Sequence, residues 1–255
     1  GVMLDPGESI EIQFSLSLQE AGDHTIALDG YSCILTVLGG SPQEGVGVTI
    51  IDTGVKAVLP NHGECIYNGD FYFLAKDADN GALLYLFRWD GAQLTASPPY
   101  SSSLFYAGAS SEPMAMVDEN TMWGFHQAFS GDRNHYLRRA SFDSSGWTQE
   151  VQILLGDPTW RPRSIIRLAS GDIVVGAYQH LDPIHFKWWF IRGDQVINTV
   201  ESDYHSGIPA TQFSMGQDID GKIRCYATRD SRGILCYFQL GISGGQLVLE
   251  HMEWD

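Results

Sequence analysis

The stretch "RPRSIIRLASGDIVVGAY", residues 161–178, decides the fold. An Arg-Pro step leads into an apolar segment, which stops at Ser-Gly-Asp and resumes as a second, β-branched segment. Turn formers between two β-rich runs predict a hairpin. A single hairpin leaves the fold open, whereas a repeated one sets it.

It is repeated. "ECIYNGDFYFLAKD", "MAMVDENTMWGFHQAF", "IIRLASGDIVVGAYQH" and "SMGQDIDGKIRCYAT" all read apolar strand, polar turn, apolar strand. Their turn residues Gly69, Asn120, Gly171 and Gly221 stand 51, 51 and 50 residues apart. Each copy continues into a third strand: "ALLYLFRW", "HYLRRASF", "FKWWFIR" and "ILCYFQL". A fourth follows after a glycine-containing turn, in "DGAQLTA", "SSGWTQEVQI", "RGDQVINTV" and "SGGQLVLEH". A proline precedes each first strand, at Pro60, Pro113, Pro162 and Pro209. Four antiparallel strands recurring every ~50 residues are the pattern of a β-propeller blade. The expected fold is therefore all-β: a propeller with four clear blades over 59–255.

In the last copy, centring the hairpin on "RDSRG" pairs Thr228 with Gly233, Ala227 with Ile234 and Ile223 with Phe238. That register keeps one face apolar and sets Cys225 opposite Cys236. A cross-strand disulfide and two reduced thiols both fit that expectation. Cys33 and Cys65, in apolar segments, read as buried small hydrophobes.

The bulk numbers narrow the function classes. With 255 residues, a net charge of -16, 28 Gly, 7 Trp and 11 Tyr, the chain reads as globular, acidic and turn-rich. An acidic surface repels phosphate backbones, which argues against nucleic acid. No run reaches the ~18–20 apolar residues of a membrane span, so no membrane insertion is expected. A chain starting "GVMLDPGES" reads as part of a longer polypeptide or assembly. P-loop, dinucleotide and Ser-His-Asp patterns are absent, and no cofactor or metal is expected. "DADNG" (77–81) and "DIDG" (218–221) echo calcium loops without the ligand set, and turn chemistry accounts for them.

The first forty residues break the period. "LDPGESIEIQFSLSLQEAGDHTIALDGYSCILTVLG" has an Asp-Pro-Gly turn, a long alternating strand and a hairpin on Asp-Gly. It resembles the C-terminal strands of Ig-like, CARDB-like modules of surface proteins. Residues 1–39 are thus expected to form a partial Ig-like segment. Residues 40–58 follow as a linker, with "GVTIIDTGVKAV" (47–58) as a candidate ring-closing strand. That resemblance implies an extracellular or cell-surface setting.

The repeat itself resembles the inner hairpin of sialidase-like, BNR-repeat propellers, in which an Arg-Pro step precedes the first strand. "SFDSSGWT", Ser141–Thr148, keeps the Ser, Asp, Gly and Thr of their Asp box, with one extra residue and the Trp displaced; the other blades lack it. In such a ring, the loops into the first strands and those joining second to third strands open on one face around the central channel. That face is expected to gather His62, Glu64, Glu112, Arg133, His135, Trp160, Arg161, Arg163, His180, Asp182, His185, His205, Arg229 and Arg232. Tryptophan stacks on a pyranose, and arginine forks hold carboxylate or sulfate. A glycan is the expected ligand and a surface protein the other candidate partner. Within this group the run Trp160-Arg161-Pro162-Arg163 is central, so Arg161→Ala is expected to abolish binding.

Two enzymatic alternatives follow from the resemblance. A sialidase would need three arginines on the substrate carboxylate, for which Arg163, Arg133 and Arg229 or Arg232 are candidates, but no Tyr–Glu nucleophile pair is evident. A polysaccharide lyase would use a His or Tyr base, for which His126, Tyr178 and His180 are candidates beside Arg161. A purely structural module of a surface or virion assembly is the third reading.

Overall fold

The computed structural model describes residues 22–28, 31–37, 57–58, 63–77, 83–101, 104–105, 113–127, 134–156, 159–179, 184–204, 210–229 and 235–254. Every element within them is a β-strand. The chain divides into two compact units, Gly1–Val55 and Lys56–Asp255.

In the first unit, β1 (Gly22–Leu28) pairs antiparallel with β2 (Tyr31–Val37), with Leu28 opposite Tyr31. The hairpin around Asp29-Gly30 thus has the register a two-residue loop imposes. The remainder of the segment expected to be Ig-like lies outside the described residues.

The second unit is a β-propeller of four blades. Blade one contains β3 (Ala57–Val58), β4 (Glu64–Tyr67), β5 (Asp70–Asp77), β6 (Leu83–Trp89), β7 (Leu94–Ala96) and β8 (Tyr100–Ser101). Blade two is β9 (Met114–Asp118), β10 (Thr121–Gln127), β11 (His135–Asp143) and β12 (Gly146–Gly156). Blade three is β13 (Trp160–Arg167), β14 (Ile173–Gln179), β15 (Ile184–Arg192) and β16 (Gln195–Tyr204). Blade four is β17 (Ala210–Gln217), β18 (Ile223–Arg229), β19 (Leu235–Ser243) and β20 (Gln246–Trp254). In blades two to four each strand pairs with its sequence neighbours, so the 51-residue period is the blade itself. Of the candidate ring-closing segment, Ala57–Val58 is described. It pairs with Asp77 and Lys76 of β5, extending the inner edge of blade one and adding nothing to blade four.

The turns follow from their residues. In "LASGD" the Gly171 amide donates to the Leu168 carbonyl (2.8 Å), and the Leu168 amide to the Asp172 carbonyl (2.8 Å). Closing that loop needs a positive φ, and Gly171 supplies it at 89°. "DIDGK" repeats the arrangement, with Gly221 at 80°. Asp218 Oδ1 accepts the Lys222 amide (2.9 Å) and Oδ2 is ion-paired with Arg224, so this aspartate is spent on its own turn.

Each blade has a forward face towards the next blade and a backward face towards the previous one. Three apolar seams result. Tyr72, Leu74, Leu84 and Leu86 of blade one meet Met114, Met116 and Met122 of blade two. Trp123, Phe125 and Leu137 of blade two meet Ile173, Val175 and Trp189 of blade three. Phe186, Trp188 and Phe190 of blade three meet Phe213, Cys225 and Phe238 of blade four. Two glycines admit the neighbouring ring: a Cβ on Gly124 would stand 2.7 Å from Phe105, and one on Gly176 2.3 Å from Phe213.

The register of the last hairpin corrects the sequence expectation. Ala227 lies opposite Cys236 and Cys225 opposite Phe238, a slip of two residues. A two-residue slip keeps every side chain on its face, which is why apolar patterning could not detect it. Cys225 and Cys236 are both buried free thiols, and burial pushes the Cys225 thiol far up.

Candidate functional site

The innermost strands β4, β9, β13 and β17 enclose a central cavity of about 540 Å³. Proline suits the edge of such a strand, which needs no N–H donor; Pro162 is buried within β13 and Pro113 immediately before β9. At the turn end of the channel stand Tyr67, Arg167 and Gln217; further along are Glu64, Arg163 and Ser214.

Arg163 owes its place to a β-bulge. Pro162 pairs with Ala177 and Ser164 with Gly176, so Arg163 is the extra residue of β13. A bulge re-aims the side chain it carries, and Arg163, half-buried, lines the cavity. Its guanidinium lies 5.5 Å from the Tyr178 ring centroid, with Nη2 3.3 Å from the Tyr178 hydroxyl. Arg167 crosses from blade three to blade one, its guanidinium 5.4 Å from the centroid of Tyr67. Such cation–π contacts help to hold a guanidinium in place. Gln217 is anchored, accepting the Ala169 amide (2.8 Å) and donating to the Gly221 carbonyl (3.1 Å).

Cys65 also lines the cavity. Burial raises its thiol to about 11, against a smaller opposing effect of the Met116 backbone. A thiol held protonated at neutral pH is a poor nucleophile.

The other residues expected at the site separate. Trp160 is 8% exposed and packs edge-on against Trp189 (6.1 Å) in the seam of blades two and three, with Lys187 Nζ 5.2 Å from its ring. Arg161 is exposed and is not among the described residues lining the cavity. His135 is buried at the start of β11, and His185 stands half-buried on β15 opposite Gln179. Arg229 ends β18 opposite Ala210. His62, Glu112, Arg133, His180, Asp182, His205 and Arg232 lie outside the described residues. Among the described residues, no three of His, Cys, Asp and Glu converge as a metal site.

Arg167, Tyr67 and Gln217 lie on strands rather than loops, and residue type alone does not mark them as a site. The available signal was positional: each first strand is the channel wall, and Arg167 and Gln217 hold the same place, four residues before the turn glycines Gly171 and Gly221.

Among the lyase candidates, Tyr178 is 3% exposed and belongs to the seam of blades three and four. His126 is 8% exposed, and burial, with the Arg138 charge, holds its imidazole down at about 4. The Asp-box-like turn is structural. Asp143 Oδ1 accepts the Ser145 amide (2.7 Å), and Trp147 donates to the Pro98 carbonyl (2.8 Å) of blade one.

No known protein-family profile matches the sequence, and no curated protein does. The GH43 β-xylosidase/α-arabinofuranosidase of a compost microbial metagenome superposes with a TM-score of 0.48 at 9% identity, over 78% of each chain. The six-bladed fungal lectin from Aleuria aurantia gives 0.47 at 14%, over 95% of this chain and 73% of its own. An endo-arabinase from Bacteroides thetaiotaomicron gives 0.45 at 11%, over 75% and 80%.

Proposed function

We propose that this chain is a glycan-binding propeller module, presented outside the cell, whose ligand enters the central channel. The observation that carries the reading is the pair Arg163 and Arg167, two guanidiniums of one strand in a cavity walled by four blades. In a protein of net charge -16 this is a local cationic site set in an acidic surface. It suits a saccharide bearing carboxylate or sulfate, which a guanidinium fork binds bidentately. Tyr67 offers a ring for stacking, and Glu64 accepts hydrogen bonds from sugar hydroxyls. The extracellular setting rests on the resemblance of the N-terminal segment to surface modules.

Binding is favoured over hydrolysis by the acid inventory. Glycoside hydrolysis ordinarily needs two carboxylates flanking the scissile bond. Among the described residues lining the cavity, Glu64 is the one carboxylate.

The test is to incubate the protein with sialylated and uronate-containing oligosaccharides, measuring affinity by calorimetry and product mass by mass spectrometry. The expected result is binding with unchanged masses, weakened about tenfold or more by Arg163→Ala and by Arg167→Ala. Fragments that gain water would establish a hydrolase, and unsaturated fragments a lyase; either overturns the reading. So does an absence of binding.

A further inference from the structure

We infer that the seam between blades one and two holds a second binding site, shaped for one neutral sugar ring or a polyol of that size. A cavity of about 170 Å³ lies there, sharing no lining residue with the central channel. A water molecule occupies roughly 30 Å³ of liquid, so the space exceeds that of a single trapped water and matches one small ring.

Tyr72 of β5 lines this cavity. The residue is 1% exposed, and its hydroxyl is buried without a hydrogen-bond partner among the described residues. Native proteins rarely leave such a group unsatisfied, and each case asks for an explanation. Packing does not supply one. The corresponding positions of the other blades are Trp123, Val174 and Arg224, and a phenylalanine would fill the same seam. The hydroxyl is the part of Tyr72 that the fold does not need.

The surroundings select the ligand class. Arg88 is clamped by Asp70 (2.6 Å) and Glu119 (3.1 Å), so its charge is more than balanced and the local sum is one negative. A carboxylate or sulfate would meet a net negative charge there. Phe142 and Leu86 give an apolar wall, while the exposed Thr95 and Asn120 bring a hydroxyl and an amide to the rim. Apolar walls with a few convergent polar groups form the usual pocket for a small ligand. A sugar ring, with its C–H face and hydroxyl edge, has the matching two-sided character.

The experiment is saturation-transfer NMR and calorimetry on the full chain with xylose, arabinose, fucose, mannose, galactose and glycerol, and glucuronate as the anionic control. At least one neutral sugar should bind. Tyr72→Phe should weaken it about tenfold or more, without lowering the unfolding midpoint, because it removes an unsatisfied hydroxyl. Thr95→Val, at the exposed rim, should weaken it less. Arg167→Ala should leave it unchanged, which separates this site from the channel. The inference fails if no neutral sugar binds, if both Tyr72→Phe and Thr95→Val keep full affinity, if glucuronate binds as well as the neutral sugars, or if Arg167→Ala abolishes binding.

Discussion

Blades three and four share one four-strand plan, yet their forward faces are opposites. In blade three, Val174 lies opposite Phe190 and Gly176 opposite Trp188, with Val174, Trp188 and Phe190 all at 0% exposure. In blade four the corresponding pairs are Arg224 with Gln239 and Tyr226 with Tyr237. There Arg224 donates to the Tyr237 hydroxyl (2.5 Å) and to Gln239 Oε1 (3.1 Å), and Tyr226 is 42% exposed. The difference teaches that side-chain character on a blade follows from whether another blade covers it, the backbone being the same. Among the described residues, no buried apolar cluster joins blade four to blade one. Blade one's backward face is aromatic, with Phe73 stacked on Phe87 (5.1 Å) and Phe71 40% exposed.

The contrast breaks most severely where the covered face is emptied. Trp188 packs against Phe238 (5.0 Å) and Phe213 (6.2 Å), both from blade four. Trp188→Ala should cost about 3–5 kcal/mol, since truncating a buried aromatic loses transfer energy and leaves a void. Chemical denaturation measures it; a loss near zero would mean that the seam does not hold the blades together.

Acid sharpens the comparison at another seam. The backward-facing position held by Ala75, Ala177 and Ala227 in three blades is His126 in blade two. Its ring lies 6.5 Å from that of Tyr136, and burial plus Arg138 lowers its pKa from 6.5 to about 4. The folded protein therefore keeps the imidazole neutral where the unfolded chain protonates it. Stability is unaffected by this group above pH ~6.5, falls as pH drops towards ~4, and levels off below, for a total of at most about 3 kcal/mol. Denaturation midpoints across that range should show the slope in the wild type, and His126→Ala should flatten it.

A smaller effect belongs to the glycine over which blade four sits. Gly176→Ala places a methyl carbon 2.3 Å from the Phe213 ring. It should cost about 1–3 kcal/mol by overpacking, whereas alanine at Gly216, with nothing within 4 Å of its Cβ, should be tolerated. The pair of variants distinguishes a tight seam from a general aversion to side chains at strand glycines.

The fold was largely legible in the sequence because turn residues mark their own positions. Gly69, Gly171 and Gly221 each require positive φ, so their spacing reports the blade period directly. Register was less legible. The pairing of Cys225 depends on where the loop closes, and apolar alternation is blind to a slip of two. The site was the least legible. Trp160 reads as a stacking platform by residue type, but its place in β13 turns it into the seam. Arg163 lines the channel through a bulge, and no local pattern around Pro162 and Ser164 announces that extra residue.

The smallest expected effect lies on the uncovered face. Arg224 makes more polar contacts than Trp188, reaching Asp218, Tyr237, Gln239 and Asp220, and these hold its guanidinium more firmly charged than usual. A count of contacts would rank it first. Its contribution to stability is nevertheless the smallest, because the guanidinium exchanges water for carboxylate and hydroxyl partners that are themselves hydrated, and salt screens what remains. Arg224→Ala should leave the denaturation midpoint indistinguishable from wild type, at low and at high salt. A large loss would mean that blade four's forward face is covered in solution by another surface, since only desolvation turns this network into a stabilising one.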